Sequence, residues 1–521
     1  MVGVLFILAI SDLIVGVSND AVNFLNSAIG AKVAPLRVIL IVAAAGILVG
    51  TTFSSGMMEV ARKGIFYPGS FTFYNIMIIF IAVMLTDVLL LDLFNTFGLP
   101  TSTTVSIVFE LLGGAVGIAI VTISARGESL SEMGNYINSG KALAIISGIL
   151  VSVVVAFSVG TVVQYFSRML FTFNFTRTMK YFGAIWGGIA LTFITYFILI
   201  KGAKGTSFMS SEDIQWIVTH TALILGASLI AWTLIFQLLY WMFKFNVLKF
   251  IVLAGTFALA MAFAGNDLVN FIGVPLAGFA SFKIFASAQN ASADTFLMSS
   301  LAGQIKTPTL YLVIAGLIMV ITLWLSRKAR SVVKTTLQLS DQDIVDERFE
   351  SSLVARSVVR QALRISKAVQ VIVPNSALRK IEKRFDLKPF RAYIKQNPGV
   401  SFDLIRASVN LVVASILIAF ATSLKLPLST TYVTFMVAMG SSLADGAWGR
   451  ESAVYRITGV VAVIGGWFFT ALCAFTVSLI IALILYWSNL LGLLVLIPLA
   501  IFLVVKTHAF HSKNRRGKQT H

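Results

Sequence analysis

Residues 18–24 read SNDAVNF, and residues 265–271 read GNDLVNF. Each copy follows an apolar run, Met1–Val17 in the first case and Phe250–Ala264 in the second. An ionised Asp at mid-membrane costs at least about 2.5–3.5 kcal/mol on insertion scales, so it persists where it has a partner or a task. The chain makes this placement twice in one frame, Asn-Asp-x-Val-Asn-Phe, and the duplication decides how the rest is read.

A second motif follows each copy in the same order. Leu99-Pro100-Thr101-Ser102-Thr103-Thr104 returns as Leu426-Pro427-Leu428-Ser429-Thr430-Thr431. Asp20 precedes Ser102 by 82 residues, whereas Asp267 precedes Ser429 by 162. The excess is about the size of one polar segment, Ser326–Pro398. The chain therefore reads as two homologous halves, the second interrupted. Paired repeats in a polytopic helical protein mark a secondary transporter, whose site lies at the repeat interface near the bilayer midplane.

Composition supports a membrane reading. The 521 residues are 58% hydrophobic and only 12% charged, against about 25% charged in soluble domains. Barrel strands would alternate polar and apolar residues over about ten positions; these runs do not alternate and are longer. The expected fold is all-α and polytopic, with about 11–13 passes, built from two inverted-topology repeats with broken or re-entrant helices. The expected segments are a first membrane repeat at 1–165, connecting transmembrane helices at 166–249, and the second repeat at 250–325 and 401–505. A basic cytoplasmic insertion at 326–400 and a basic tail at 506–521 complete the chain.

The net charge of +18 could suggest nucleic acid, but its location excludes that reading. Arg327–Lys395 and Lys506–His521 together carry 14 of the 18 charges. One loop and one tail so marked fit the positive-inside pattern and are expected to be cytoplasmic. Arg356, Arg360 and Arg364 share one face of a helical pattern in that loop, read as a solvated surface helix. Cys473 is a lone thiol in an apolar run. Three of the four histidines, His508, His511 and His521, lie in the tail and His220 stands apart, so no metal-ligating cluster and no cofactor is expected. Met1–Val17 carries no small-residue cleavage site before Asn19 and is expected to be a retained helix.

Pro followed by hydroxyl residues is a helix-start signal. A half-helix starting inside the membrane presents unpaired N–H groups and partial positive charge. Ser102, Thr103 and Thr104 from one half, with Ser429, Thr430 and Thr431 from the other, supply donors for an oxyanion without Lys or Arg. Plain capping explains one copy; two copies, each paired with Asn-Asp, point to a site. Asn-Asp is also a place where a helix can break. Asp20 and Asp267 are suited to a cation, Na+ being the metal expected, with Asn19 and Asn266 as neutral oxygen ligands. Asn23 and Asn270 are assigned to the anion as amide donors. Glu59 reads on spacing as an interfacial ion pair with Arg62 or Lys63, and Lys425 as a snorkelling lysine. Asp87, Asp92 and Glu110 could relay protons or pair within the bundle. Gly113-Gly114 and Gly465-Gly466 allow close helix packing.

At these motifs the chain resembles the inorganic phosphate transporter (PiT) family. That family carries a Gly-Ala-Asn-Asp-x-Ala-Asn-Ala type signature and a Pro-Val-Ser-Thr-Thr-His type signature in each of two inverted halves. Here they stand as Ser18–Asn23 with Pro100–Val105, and Gly265–Asn270 with Pro427–Tyr432. Glu59-Val60-Ala61-Arg62-Lys63-Gly64-Ile65 resembles the family's Glu-x-x-Arg-Lys-Gly-Ile stretch, which implies a transport-coupling role for Glu59. Val105 and Tyr432 replace the family's His. Val17-Ser18 and Ala264-Gly265 stand where Gly-Ala is usual. The resemblance implies import of inorganic phosphate by symport with Na+, taken ahead of H+, by alternating access in the cell membrane. Alternatives are another oxyanion such as sulfate, a membrane-embedded phosphate-transferring enzyme, or a channel. The expected partners are phosphate, Na+ or H+, the lipid bilayer and, as a homodimer, a second copy of the chain, with no nucleic acid among them.

Overall fold

The computed structural model describes residues 1–52, 54–97, 101–196, 210–288, 291–303, 305, 307–326, 357, 360, 375–397, 399–446 and 452–517. Leu99, Pro100, Arg356, Arg364 and most of the basic insertion lie outside the described residues, as do residues 518–521 of the tail.

The apolar runs fold as helices because only helices or closed barrels satisfy the backbone within lipid. In order they are α1 (Val2–Gly30), α2 (Leu36–Thr52), α3 (Met58–Lys63), α4 (Phe73–Phe97), α5 (Thr103–Ala125), α6 (Ser139–Phe171), α7 (Thr176–Thr195), α8 (Ser211–Thr219), α9 (Thr221–Phe243), α10 (Val247–Ser287), α11 (Thr309–Leu325), α12 (Asn375–Arg384), α13 (Lys388–Gln396), α14 (Leu404–Ser423), α15 (Thr430–Ala444) and α16 (Ser452–Gly517). α16 breaks at Asn489, whose φ is +51°. Among the described residues, eight helices are long and apolar enough to cross a membrane, and shorter apolar helices at Leu36–Thr52, Thr309–Leu325 and Leu491–Leu503 accompany them. α4 runs through the centre of the bundle, with 89% of its apolar window buried; α9 lies outside, with 6%. Trp241, Met242 and Phe243 at the end of α9 are exposed.

The halves interlock rather than sit side by side. α5 packs on α16, and its counterpart α15 packs on α6; α2 packs on α10, and α11 on α1. Each half thus supplies the helix that covers the other's motif helix. Gly113 and Gly440 show the exchange at atomic scale, each eleven residues after its motif serine. A Cβ on Gly113 would stand 2.1 Å from the Phe475 carbonyl oxygen of α16, and one on Gly440 2.3 Å from the Phe157 carbonyl oxygen of α6. Backbones that touch so closely need glycine. Gly440→Val is expected to destabilise the protein by about 2–3 kcal/mol through overpacking, read as a shift of unfolding in detergent. Unchanged stability would rule out this crossing. Gly465 and Gly466, read as a second close-packing pair, have open space where a Cβ would lie.

Two expectations change. The Asn-Asp motifs do not break their helices: α1 and α10 run unbroken through Asn19-Asp20 and Asn266-Asp267. Their side chains bond to the facing helix starts, so they do not compete for their own backbone. The repeat edge expected at 165 falls inside α6, which continues to Phe171. Gln164, just before that edge, and Arg168, just past it, are buried there and bonded to Asp445. The edge expected at 250 likewise falls inside α10, capped at Asn246.

Candidate functional site

The local sequence builds the two facing turns. Ser102 Oγ accepts from Val105 N and Ser429 Oγ from Tyr432 N, both at 3.1 Å. Both serines therefore cap α5 and α15, and the helix starts they fix carry partial positive charge. The threonines that follow point at the two Asn-Asp motifs.

The bonds among these residues come in exchanged pairs. Thr103 Oγ1 donates to Asp20 at 2.9 Å, and Thr430 Oγ1 donates to Asp267. Across the halves, Thr104 Oγ1 donates to Asp267 at 3.0 Å and Thr431 Oγ1 to Asp20 at 3.2 Å. Asn19 donates to the Thr101 carbonyl at 2.9 Å, Asn266 to the Leu428 carbonyl at 2.7 Å. Asn23 donates to Thr430 and Thr431, Asn270 to Thr103 and Thr104, at 3.0–3.3 Å. All twelve residues assigned to phosphate or cation are brought into one buried cage.

The chemistry differs in one respect from the sequence reading, in which Thr103, Thr104, Thr430 and Thr431 give their protons to an oxyanion. Here each donates to an aspartate carboxyl, the strongest acceptor within its reach in an apolar interior. Carboxylates and hydroxyls then form one oxygen-rich shell, the donor set that suits a small hard cation. Beside Asn23 and Thr431 a cavity of about 20 Å³ reaches Asn26, Asn410, Thr434 and Trp467. That is room for about one water, so a phosphate needs the halves to part.

Val105 and Tyr432 lie outside the cage. Together with Phe109 and Trp467 they line an apolar cavity of about 100 Å³, and Tyr432 stacks on Trp467 at 3.6 Å between ring centres. Replacing His at these positions removes no group from the shell.

Glu59 also lies outside it. Its carboxylate pairs with Lys425 at 2.9 Å and with Lys63 at 3.0 Å, while Arg62 instead donates to the Gly303 carbonyl. Lys425 is thus ion-paired rather than snorkelling, and it adjoins the Leu426-Pro427 turn. α3 of the first half is tied by this contact to the second half's motif. The Lys425 hydrogen bond, with Lys63 adding to it, holds the Glu59 carboxyl down at about 2. A depressed carboxyl stabilises the fold at pH above the ordinary carboxylate range, and that contribution is lost as pH falls through about 2; the site is too exposed for it to be large.

Sequence reasoning missed Thr434 and Asn26, although Thr434 is one turn beyond Thr430 and donates to Asn23 Oδ1 at 3.3 Å. It also missed a buried network at the far end of α15. Arg168 of α6 bonds Asp403 at 2.7 Å and Asp445 at 2.8 Å, all three side chains being buried.

Comparison with known proteins adds three findings. A family model described as the phosphate transporter family matches residues 16–336. A provisionally named phosphate permease of Thermococcus kodakarensis is 32% identical over 197 residues, 36% of this chain and 45% of its own length. One from Pyrococcus furiosus is 29% identical over 195 residues, 37% of this chain and 44% of its own. The chain thus matches less than half the length of these curated relatives. A solved structure titled the sodium-dependent phosphate transporter superposes with a TM-score of 0.64, at 16% identity, over 93% of this chain and 99% of that one. At that identity the likeness is one of fold.

Proposed function

The chain belongs to the phosphate transporter family, and from that premise we propose that it imports inorganic phosphate by symport with a cation, Na+ ahead of H+, across the cell membrane. The observation that carries this reading is the exchanged bonding of Asp20 and Asp267, each held by threonines of both halves. A shell shared in this way senses the relative position of the halves, which alternating access requires. The oxygen set supports a cation at Asp20, Asp267, Asn19 and Asn266. With the cation bound, the negative charge is offset, and the α5 and α15 starts with Asn23 and Asn270 favour phosphate. Binding is then ordered, cation before anion. The family is one of transporters rather than enzymes.

The test is radiolabelled phosphate uptake into liposomes with Na+ and pH gradients imposed separately. Saturable uptake driven by an inward Na+ gradient is the expected result. Uptake indifferent to both gradients would overturn the symport reading, and stronger competition by sulfate than by arsenate would move the substrate to another oxyanion.

Thr104→Val tests the shared shell. It deletes the one hydroxyl donor that lies within reach of Asp267 and of the Leu428 carbonyl. A hydrogen bond to a charged group contributes about 1.5–3 kcal/mol, so half-saturating phosphate and Na+ should both rise about tenfold or more. Thr104→Ser keeps the donor and should stay near wild type. A rise for phosphate alone would return Thr104 to the anion.

A further inference from the structure

Three acids of the first half lie outside the cage. Asp12 on α1, Asp87 on α4 and Glu110 on α5 are fully buried. Asp87 is within hydrogen-bonding reach of both Asp12 and Glu110, yet two ionised carboxylates cannot bond, since neither has a proton to give. Among the described residues, both oxygens of Asp12, both of Asp87 and Glu110 Oε2 meet no donor. Ser106 Oγ donates to Glu110 Oε1 at 2.6 Å. The ion pairs of the described residues, at Glu59, Asp403 and Asp445, include none of the three acids. Buried carboxyl oxygens left in this state call for an explanation, and a bound proton supplies one.

The repeat shows that the fold does not need these acids. Carrying the register across, Asp20 to Asp267 and Ser102 to Ser429, sets Leu259 against Asp12, Ala414 against Asp87, Val433 against Ser106 and Val437 against Glu110. All four are buried. The second half fills the corresponding positions with aliphatic side chains, so the polar set is an addition made in one half only.

We propose that Asp12, Asp87 and Glu110, with the Ser106 hydroxyl, form a proton-binding site that adds protons to the ions carried with phosphate. The ligand proposed is the proton, which neighbouring buried carboxyl groups share more readily than they both ionise. Asp12 lies eight residues, about two turns, before Asp20 on α1. Ser106 lies one turn after Thr103 on α5, between the cage and Glu110. Among the described residues, the titratable group outside the triad that faces Asp12 is Asp20. α10 brings Asp267 against Asp20, and α16 brings the Ser478 hydroxyl, which donates to the Glu110 main-chain carbonyl at 2.8 Å. The coupling role rests on the transport reading above; the proton site does not.

Infrared difference spectra of the purified full chain against pH test the site directly. The expected result is the carbonyl stretch of a protonated carboxylic acid at neutral pH. It should be weakened by Asp12→Asn and by Glu110→Gln. It should be lost when Asp12→Leu, Asp87→Ala, Ser106→Val and Glu110→Val together install the second half's residues. No such band in the wild type, or a band indifferent to these substitutions, overturns the proposal. A band removed by Na+ or Mg2+ overturns it too, by making the ligand a metal cation. In proteoliposomes at fixed Na+, an inside-alkaline gradient should speed wild-type phosphate uptake but not that of Glu110→Gln. Equal stimulation refutes the coupling role. Absent phosphate uptake with the band intact would sink the transport reading and leave the proton site standing.

Discussion

Asp267→Asn is expected to abolish cation-driven phosphate uptake while the protein still inserts and folds. Asp267 accepts from Thr104, Thr430, Asn266 and Asn270. Asn keeps the shape and one accepting oxygen, so the helices stay in contact. It removes the charge of one shell carboxylate and turns an NH2 donor toward threonine hydroxyls that had donated there, so those hydroxyls must rotate to accept. The cation loses a charged ligand and a threonine proton loses its acceptor. Hydrogen bonds to charged groups contribute about 1.5–3 kcal/mol each, and several change together. Uptake should fall about 100-fold or more, equivalent to about 2.7 kcal/mol. The two-fold exchange of contacts makes a second demand: Asp20→Asn should fall by a similar factor. The measurement is initial-rate uptake in liposomes at matched protein content, over a range of Na+. Normal uptake with unchanged Na+ dependence in Asp267→Asn removes the carboxylate from the site. A loss in one variant only would mean that the halves are not equivalent partners in the shell.

The duplicated motifs are legible in the sequence because two matching strings, repeated in the same order at a long interval, seldom arise by chance. They lead to the two-half organisation, the helical class and the residues that meet. The pairing itself is not legible there. Nothing in the local sequence says that Thr431 reaches Asp20, 411 residues away, or that Thr104 reaches Asp267 rather than its own half's aspartate. This matters chemically, because it turns hydroxyls assigned to an anion into part of a cation shell. The Asn-Asp break fails for a related reason. Asn and Asp weaken a helix when their side chains have only the local backbone to bond; here the partners come from another helix. Arg168 escapes notice because it lies at the margin of an apolar run, where an arginine ordinarily reads as a helix end. The two acids that bury it are more than 230 residues away in the chain.

That arginine carries the second large expectation, a stability effect: Arg168→Leu should destabilise the protein by about 3–5 kcal/mol. Its guanidinium bonds both oxygens of Asp403 and both of Asp445, and sits 3.7 Å over the Phe173 ring. Asp403 caps α14 and Asp445 ends α15, so one side chain of α6 holds both helices that flank the second half's Leu-Pro-x-Ser-Thr-Thr turn. Leu takes the guanidinium away from two buried carboxylates, and the loss comes from that desolvated charge more than from the bonds removed. Lys would not substitute, since a single ammonium cannot reach two carboxylates in the forked geometry of Arg. Because stranded charge is the cause, adding Asp403→Asn and Asp445→Asn to Arg168→Leu should recover a large part of the stability. Unfolding of the purified protein in detergent, followed by tryptophan fluorescence, measures both. A triple variant no more stable than Arg168→Leu alone would assign the loss to packing around Phe173 instead of to charge. An Arg168→Leu protein as stable as wild type would mean that α6 is not fastened to α14 and α15 through this network.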